Sequence, residues 1–239
     1  MTVVTIARPL ATHAEAIAAA VASRLGLAVY DDRLIAMAAA RGDVPPDEMA
    51  TLDERGRGLF VRPTDLWHLV PMPPINPELP DILTDEYAPT GPVRARSSGL
   101  DSPRFWAVEA YAALMARTIA DVAATEDAVV VGRAGHVVTG ASEAVLRVLC
   151  VAPEATRVAR VARTQAVADY EALTRIRESD RDRSEYHRQF FGAAWLDPSA
   201  YDLVINTGSM SIPQAVDTVV AAASRLAGRP TPTLSLAHH

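Results

Sequence analysis

The sequence predicts an α/β fold in which helices flank a parallel sheet of about five strands. Short apolar stretches rich in β-branched residues alternate along the chain with longer segments of helical periodicity. Such alternation is typical of crossover connections, which parallel strands require. Polar or charged residues also follow several of the predicted strands. The carboxyl ends of parallel strands form the ligand-binding edge of this kind of sheet, so these residues are expected to converge there.

The opening of the chain predicts a strand, a loop and a helix. Thr2–Ala7 is apolar and β-branched, which indicates a buried strand. Thr12 and Glu15 have the spacing of a capping box, so a helix is expected to begin there. The helix should continue to about Leu25 and end at Gly26.

A second unit follows at once. Residues 28–30 are predicted to form a short strand, and Asp31 or Asp32 can cap the helix that runs from there through Ala40. A further short helix is expected to begin at Pro45-Pro46.

Residues 60–103 differ from the rest of the chain. Their prolines exclude long helices and central strands, yet the segment also contains tryptophan and aliphatic side chains. A loop of this length within a compact domain is normally a lid, a binding arm or an insertion. We interpret it as a Pro-rich arm inserted into a single domain of residues 1–228, and as a candidate homodimer surface. Residues 229–239 are expected to form a flexible tail.

Regular structure is predicted to resume after the arm. Residues 154–192 are expected to be helical and rich in arginine. The other predicted elements are a long helix over 103–124, strands over 128–131, 144–151 and 203–206, and a last helix over 212–226.

Composition excludes several classes of protein. A net charge of −6 argues against non-specific nucleic-acid binding. The apolar stretches are too short to span a bilayer, and the start of the chain lacks the pattern of a secretory signal. The single cysteine, Cys150, lies in an apolar run and cannot form an internal disulfide, so a cytoplasmic location is expected.

The basic residues are unusual in kind and in position. All 23 are arginine, and the chain contains no lysine. Residues 154–191 hold eight arginines against seven acidic residues, whereas the remainder of the chain is acidic. These arginines could face a bound anion. Alternatively, they form a solvated helical face with ion pairs one turn apart.

The first candidate site is the loop after the first strand. The N–H groups at a helix N-terminus favour an anion, Arg8 would supply a cation, and His13 could donate to a phosphate. The alternative interpretation is an ordinary turn between strand and helix, capped by Thr12. Side chains at Ala11, His13 and Ala14 oppose the close backbone approach that glycine permits.

Two further groups contain arginine. Arg133 lies between two glycines after a strand, where a guanidinium could grip a phosphate or carboxylate in bidentate fashion. Its alternative is an exposed arginine in a turn. Within the helical segment, Asp180 and Arg183 lie three residues apart on one helix face, which suits either phosphoryl-group stabilisation or a structural ion pair.

Six segments of the chain, taken in order, resemble one family. They are Ile6–Ala18, Val29–Ile35, Val129–Arg133, Ala152–Arg160, Asp180–Tyr186 and Trp195–Thr207. These match the patterns I-S-R-x-x-G-S-G-G-x-x-I-A, Y-Y-D-x-x-L-I, V-I-V-G-R, A-P-x-x-x-R-x-x-R, D-x-x-R-x-x-Y and W-x-D-P-x-x-Y-D-L-x-I-N-T. The chain therefore resembles the cytidylate-kinase-like family of P-loop nucleoside-monophosphate kinases, although 60–103 matches no family motif.

The resemblance implies a three-layer P-loop kinase-like fold that binds ATP and Mg²⁺, with a lid over residues 164–190. By this resemblance the catalytic residues would be Arg8, Arg157, Asp180 and Arg183. The cofactor-binding residues would be Arg8, Thr12, His13, Arg157 and Arg160, with the Thr12 hydroxyl reaching the metal. The acceptor would be bound by Asp31, Arg133 and Arg177.

The chain departs from the family in the phosphate-binding loop itself. The family's G-S-G-G is replaced by residues 11–14, which read Ala-Thr-His-Ala, so the Walker A motif is degenerate. Two hypotheses follow. The protein transfers the γ-phosphoryl group of ATP to a nucleoside monophosphate or similar small acceptor. Alternatively, it is a catalytically silent descendant that acts as a nucleotide or anion sensor, or as a dimeric scaffold.

Overall fold

The computed structural model describes residues 1–51 and 103–226, and the structural statements that follow refer to those residues. The five strands are β1 (Val3–Ala7), β2 (Ala28–Tyr30), β3 (Ala128–Val131), β4 (Val145–Val151) and β5 (Leu203–Asn206). The α-helices are α1 (Ala14–Leu25), α2 (Asp32–Gly42), α3 (Pro46–Thr51), α4 (Pro103–Thr125), α5 (Gly135–Val138), α6 (Glu154–Gln165), α7 (Asp169–Phe191) and α8 (Ile212–Leu226).

The strands form one parallel sheet in the order β2-β3-β1-β4-β5. β1 is the central strand, with Val4 opposite Val129 of β3 and Leu146 of β4. All five residues of β1 are buried, as expected of a strand covered on both faces. The predicted five-stranded parallel sheet is confirmed, and the carboxyl ends of its strands meet at one edge.

Helices cover both faces of the sheet and give the predicted three layers. On one face α1 and α8 pack against the strands, with Ile17 and Val219 fully buried. On the other face α2 and α4 form the core through Leu34 and Ile119. The two apolar layers place the sheet between helices and leave the carboxyl edge of the strands to carry polar groups.

The arginine-rich segment forms two helices rather than one continuous run. α6 is followed by Ala166, which adopts a left-handed conformation with φ of 52°. α7 begins three residues later and packs back on α6 through Val161 and Ile176. Leu10 and Ala11 pack against the same small cluster. The residues predicted as a lid therefore include the connection between α6 and α7 and most of α7, and this helix pair contacts the loop after β1.

The capping predictions for α1 and α2 were wrong. α1 begins at Ala14, and the preceding residue makes no side-chain cap. The Thr12 hydroxyl instead donates to the Pro9 carbonyl at 3.0 Å. Asp31 also makes no side-chain cap to α2, because its carboxylate binds Arg133. In both places the polar side chain hydrogen-bonds to a group outside the helix instead of to the N–H groups of the first turn.

The other expectations have mixed outcomes. The short helix α5 was not predicted. Cys150 is buried, and this burial raises the pKa of its thiol to about 12. The Pro-rich arm at 60–103 and the tail at 229–239 lie outside the described residues, apart from Pro103 at the start of α4. Among the described helices, none combines the length and apolar character that a membrane span needs.

Candidate functional site

Residues 8–13, here called the first loop, connect β1 to α1. Ala11 and His13 both adopt the left-handed conformation, with φ of 63° and 60°. Left-handed residues at alternate positions are typical of a nest, in which successive N–H groups point into one concavity. The first loop thus has the backbone shape for which related loops use glycine, although it contains none. This conformation costs about 1–2 kcal/mol for each residue that carries a Cβ.

Side chains from α6 hold the first loop in this strained shape. Arg160 Nη1 donates to the Ala11 carbonyl at 3.0 Å, and its Nη2 donates to the carbonyl of Thr207 at 2.6 Å. Arg157 Nη1 lies 3.5 Å from the Leu10 carbonyl, a long contact. Arg160 therefore joins the first loop to the residue after β5. These bonds fix the carbonyl side of the loop.

The N–H side of the first loop is left for a ligand. Within the described residues, the backbone N–H groups of Ala11 to Ala14 donate no hydrogen bond to another residue. The same groups lie at the N-terminus of α1, where the helix dipole favours negative charge. The loop is accordingly a site at which an anion could satisfy several donors together.

Arg8 lies at the end of β1 and is 3% exposed. Its Nε atom lies 2.7 Å from Glu15 Oε1, although the angle is poor for a hydrogen bond. Its Nη1 atom is buried and has no hydrogen-bond partner among the described residues. Burying a guanidinium N–H without a partner costs roughly 1–3 kcal/mol or more. An anion in the first loop would remove that cost.

His13 has a lowered pKa. Burial is the largest cause, followed by the positive charges of Arg160 and Arg163. The imidazole is therefore neutral near pH 7 and has one N–H to donate. The positive groups that lower its pKa are the ones that favour an anion beside it.

The remaining predicted phosphate ligands lie in three different settings. Arg157 is close to the first loop, and its Nη2 pairs with Asp180 Oδ2 at 2.8 Å. Arg183 is buried and donates to Ser179, one turn earlier in α7. Arg177 is exposed and forms a bidentate pair with Glu154, with both N–O distances at 3.1 Å.

The structure therefore brings Arg8, Thr12, His13, Arg157, Arg160 and Asp180 together around the first loop. Arg177 belongs instead to an exposed contact between α6 and α7. Asp180 pairs with Arg157 rather than with Arg183, the residue three positions along its own helix.

The predicted Mg²⁺ ligand does not fit a metal well. Thr12 is 0% exposed, so its hydroxyl oxygen is not open to an ion at the loop, and the hydroxyl donates to the Pro9 carbonyl. Among residues 1–51 and 103–226 there is no group of three His, Cys, Asp or Glu side chains placed to hold a metal ion. The donors at the first loop are N–H groups and guanidinium groups, which fit phosphate oxygens.

Residues 132–134, here called the second loop, follow β3 at the same edge of the sheet. Arg133 has φ of 52° and is fully buried. Its Nη1 donates to Asp31 at 2.8 Å, and its Nη2 to Asp32 at 3.3 Å. Sequence analysis predicted a guanidinium aimed into a cleft, whereas the structure has it held by two carboxylates from the start of α2.

A cluster of aromatic rings and histidines lies behind the second loop. His136 is buried, its Nε2 lies 3.0 Å from the Tyr201 hydroxyl, and its ring stacks on those of Tyr201 and His187. The Tyr201 hydroxyl donates to the Trp195 carbonyl at 2.6 Å. Burial lowers the pKa of His136 to about 3, with further lowering by His187 and Arg147. His136 is thus a structural histidine that is neutral near pH 7.

Sequence reasoning missed two partners of the arginines. Glu15 was interpreted as half of a capping box, and its contact with Arg8 across the first loop was not anticipated. Asp32 was treated only as a capping candidate, although it binds Arg133. The one available signal was the number of carboxylates next to predicted strand ends, since buried arginines are expected to be paired.

Comparison with known proteins identifies a family. A model of the cytidylate kinase-like family matches residues 3–209. Among solved structures, an uncharacterized protein from Eubacterium ventriosum ATCC 27560 matches with a TM-score of 0.60 and 15% identity, covering 94% of this chain and 99% of that one. A shikimate kinase from Bacteroides thetaiotaomicron matches with a TM-score of 0.46 and 11% identity, covering 95% of this chain and 98% of that one. The first likeness shows a shared fold alone. No curated protein matches this chain.

Proposed function

The chain belongs to the cytidylate kinase-like family, and on that premise we propose that it binds a nucleotide whose phosphate groups lie in the first loop. The observation that carries this proposal is Arg8, a buried guanidinium beside a helix N-terminus whose Nη1 has no hydrogen-bond partner in residues 1–51 and 103–226. A buried polar group without a partner is costly, and phosphate oxygens are suited to guanidinium and N–H donors.

Each residue of the site has a role in this proposal. Backbone N–H groups of the first loop bind phosphate oxygens, and Arg8 supplies the charge that a lysine supplies in other phosphate-binding loops. Arg157 and Arg160 act as positioning residues, because their hydrogen bonds go to carbonyls of the loop rather than to its concave side. The neutral imidazole of His13 adds one N–H donor.

Phosphoryl transfer is a finer proposal for the same site. The bond between the γ-phosphorus of ATP and its bridging oxygen would break. A bond from that phosphorus to an oxygen of a nucleoside monophosphate or similar small acceptor would form, leaving ADP. An acceptor hydroxyl would give its proton to water. Cationic donors at the first loop would stabilise the charge on the transferring group.

A second candidate function is nucleotide or anion binding without transfer. Two observations favour it: Arg133 is enclosed by Asp31 and Asp32 instead of facing an acceptor, and the Thr12 side chain is fully buried. Binding is therefore the part of the function that both candidates share, and Mg²⁺ dependence separates them.

Calorimetric titration with ATP, ADP, CMP and inorganic pyrophosphate, each with and without Mg²⁺, tests the shared part. We expect saturable binding of ATP, ADP and pyrophosphate, and loss of at least tenfold in affinity in Arg8→Ala, since a charge-assisted contact is worth about 1.5–3 kcal/mol. Arg24→Ala is the matched control, because Arg24 lies on α1 in an exposed pair with Asp217.

Two outcomes would contradict the proposal. The first is equal binding by Arg8→Ala and the wild type. The second is binding of CMP alone, which would move the ligand away from the first loop. An assay of ADP release with CMP as acceptor then tests transfer. Activity that requires Mg²⁺ would favour the kinase, and tight ATP binding without turnover would favour the sensor.

A further inference from the structure

The contact between Arg8 and Glu15 joins two groups of very different accessibility. The Arg8 side chain is 2% exposed, whereas that of Glu15 is 54% exposed. A buried guanidinium cannot leave its position easily, but an exposed glutamate on the first turn of α1 can rotate into water. The mobile partner in this ion pair is therefore the carboxylate.

The carboxylate also lies where an incoming phosphate would be attracted. Glu15 Oε1 is 2.7 Å from Arg8 Nε, and both residues flank the N-terminal N–H groups of α1. A carboxylate and a phosphate present similar oxygens to a guanidinium, so the two anions would compete for the same cation. If both remained, two negative charges would lie within a few ångströms of each other.

We propose that Glu15 is a built-in competitor of the phosphate ligand: its carboxylate occupies Arg8 in the free protein and is displaced when a phosphate chain enters the first loop. This inference rests on the proposed function. It makes Glu15 a specificity-determining residue, because a ligand must outcompete a carboxylate. Singly charged anions cannot, whereas di- or triphosphate chains carry the extra charge and oxygens to do so.

Inorganic pyrophosphate is the probe, because it lacks a nucleoside that could bind elsewhere. We expect Glu15→Gln to bind it about tenfold more tightly than the wild type, the change that corresponds to ~1.4 kcal/mol. Acetate, as a singly charged probe, should bind only to the variant. Melting temperature, with and without pyrophosphate, should show a larger ligand-induced rise in the variant.

Two further variants separate displacement from general charge repulsion. Glu171→Gln removes the same charge from α7, where Glu171 pairs with Arg175, and should leave affinity unchanged. Glu15→Asp keeps the charge but shortens the side chain, so it should release Arg8 and tighten binding nearly as much as Glu15→Gln. An equal gain in pyrophosphate affinity in Glu171→Gln, or wild-type affinity in Glu15→Asp, would overturn the displacement of Glu15 from Arg8.

The outcomes also distinguish this inference from the proposal on which it rests. Binding of pyrophosphate by the wild type with no gain in Glu15→Gln would overturn the competitor role alone. Absence of binding in both proteins would overturn the phosphate site, and the competitor role with it.

Discussion

The first and second loops leave neighbouring strands at the same edge of the sheet and carry one buried arginine each, but the two arginines differ in their partners. Arg133 is bound by two carboxylates from another element. In the part of the chain that the structure describes, Arg8 pairs with the exposed carboxylate of Glu15, and its Nη1 has no hydrogen-bond partner. The same residue type therefore acts as a structural anchor in one loop and as a candidate ligand-binding group in the other.

The backbones of the two loops also differ: that of the second loop is closed by its own hydrogen bond, and that of the first loop is not. In the second loop three successive residues, Gly132 to Ala134, are left-handed, and the N–H of Gly135 closes the turn on the Gly132 carbonyl at 2.9 Å. In the first loop left-handed residues alternate with ordinary ones, and the N–H groups remain open. An arginine at the end of each of two neighbouring strands therefore does not by itself make two ligand sites.

The largest expected effect is a difference in the free energy of unfolding between Arg133→Ala and Arg8→Ala. Removing Arg133 takes away a fully buried side chain that two carboxylates bind and leaves a void, so we expect the free energy of unfolding to fall by about 3–5 kcal/mol. Removing Arg8 breaks a pair whose carboxylate is exposed and can be solvated by water, so its effect should be smaller, about 1–2 kcal/mol. Urea denaturation of both variants measures this difference.

Pyrophosphate binding should show the opposite order. Arg8→Ala should lose affinity, whereas Arg133→Ala should retain it under conditions where it remains folded. Arg133→Lys keeps the charge and serves as a second variant if Arg133→Ala does not fold. Loss of pyrophosphate binding in a folded Arg133 variant would make the second loop part of the phosphate site. It would contradict the assignment of a purely structural role to Arg133.

A smaller effect is expected on the stability of the protein at low pH, and it arises from His136 behind the second loop. The pKa of His136 is about 3 in the folded protein and 6.5 in the unfolded chain. Between these values the unfolded chain binds more protons, so stability is complete above pH 6.5 and falls as the pH is lowered toward 3. The expected loss by pH 5 is about 2 kcal/mol, from the linkage relation at these two pKa values.

His136→Gln tests that assignment, because glutamine can still bond to Tyr201 but does not titrate. Urea denaturation at pH 8 and pH 5 should show a smaller difference for this variant than for the wild type. An unchanged pH dependence would assign the acid sensitivity to another group, and His187, stacked on the same ring, would be the next to replace.

The fold was largely predictable from sequence, since strand and helix patterns depend on local periodicity. The positions of the five strands along the chain and the boundaries of α4 and α8 follow from apolar spacing that a single sequence records. Caps and ion pairs were not predictable in the same way. Thr12 and Asp31 carry cap signatures, but tertiary partners compete for their side chains, and those partners lie far along the chain or in a strained loop.

The conformation of the first loop was the main error of reasoning from residue type. Missing glycines suggested that the cradle had been lost, because side chains disfavour left-handed backbone. The structure keeps that backbone at Ala11 and His13 and secures it from outside through Arg160. A sequence cannot reveal this, since the compensating hydrogen bond comes from 149 positions away.

The smallest expected effect tests this compensation directly. If Ala11 is held left-handed at a cost of about 1–2 kcal/mol, Ala11→Gly removes the cost but adds roughly 0.5–1 kcal/mol of chain entropy in the unfolded state. The net expectation is a gain of about 0.5–1 kcal/mol in the free energy of unfolding, measured by urea denaturation. Ala19→Gly, at an exposed position in the interior of α1, is the matched control and should lose about 1 kcal/mol.

A loss of stability in Ala11→Gly similar to that of the control would mean that residue 11 does not occupy the left-handed region in solution. The nest, and with it the phosphate site at the first loop, would then lose its backbone support. A gain would show that the first loop maintains a glycine-type conformation under strain. The second loop offers a parallel test at Ala134, where φ is 56° but no ligand role is expected. Stabilisation by glycine at both positions, with pyrophosphate affinity altered only by the change at Ala11, would separate strain from function.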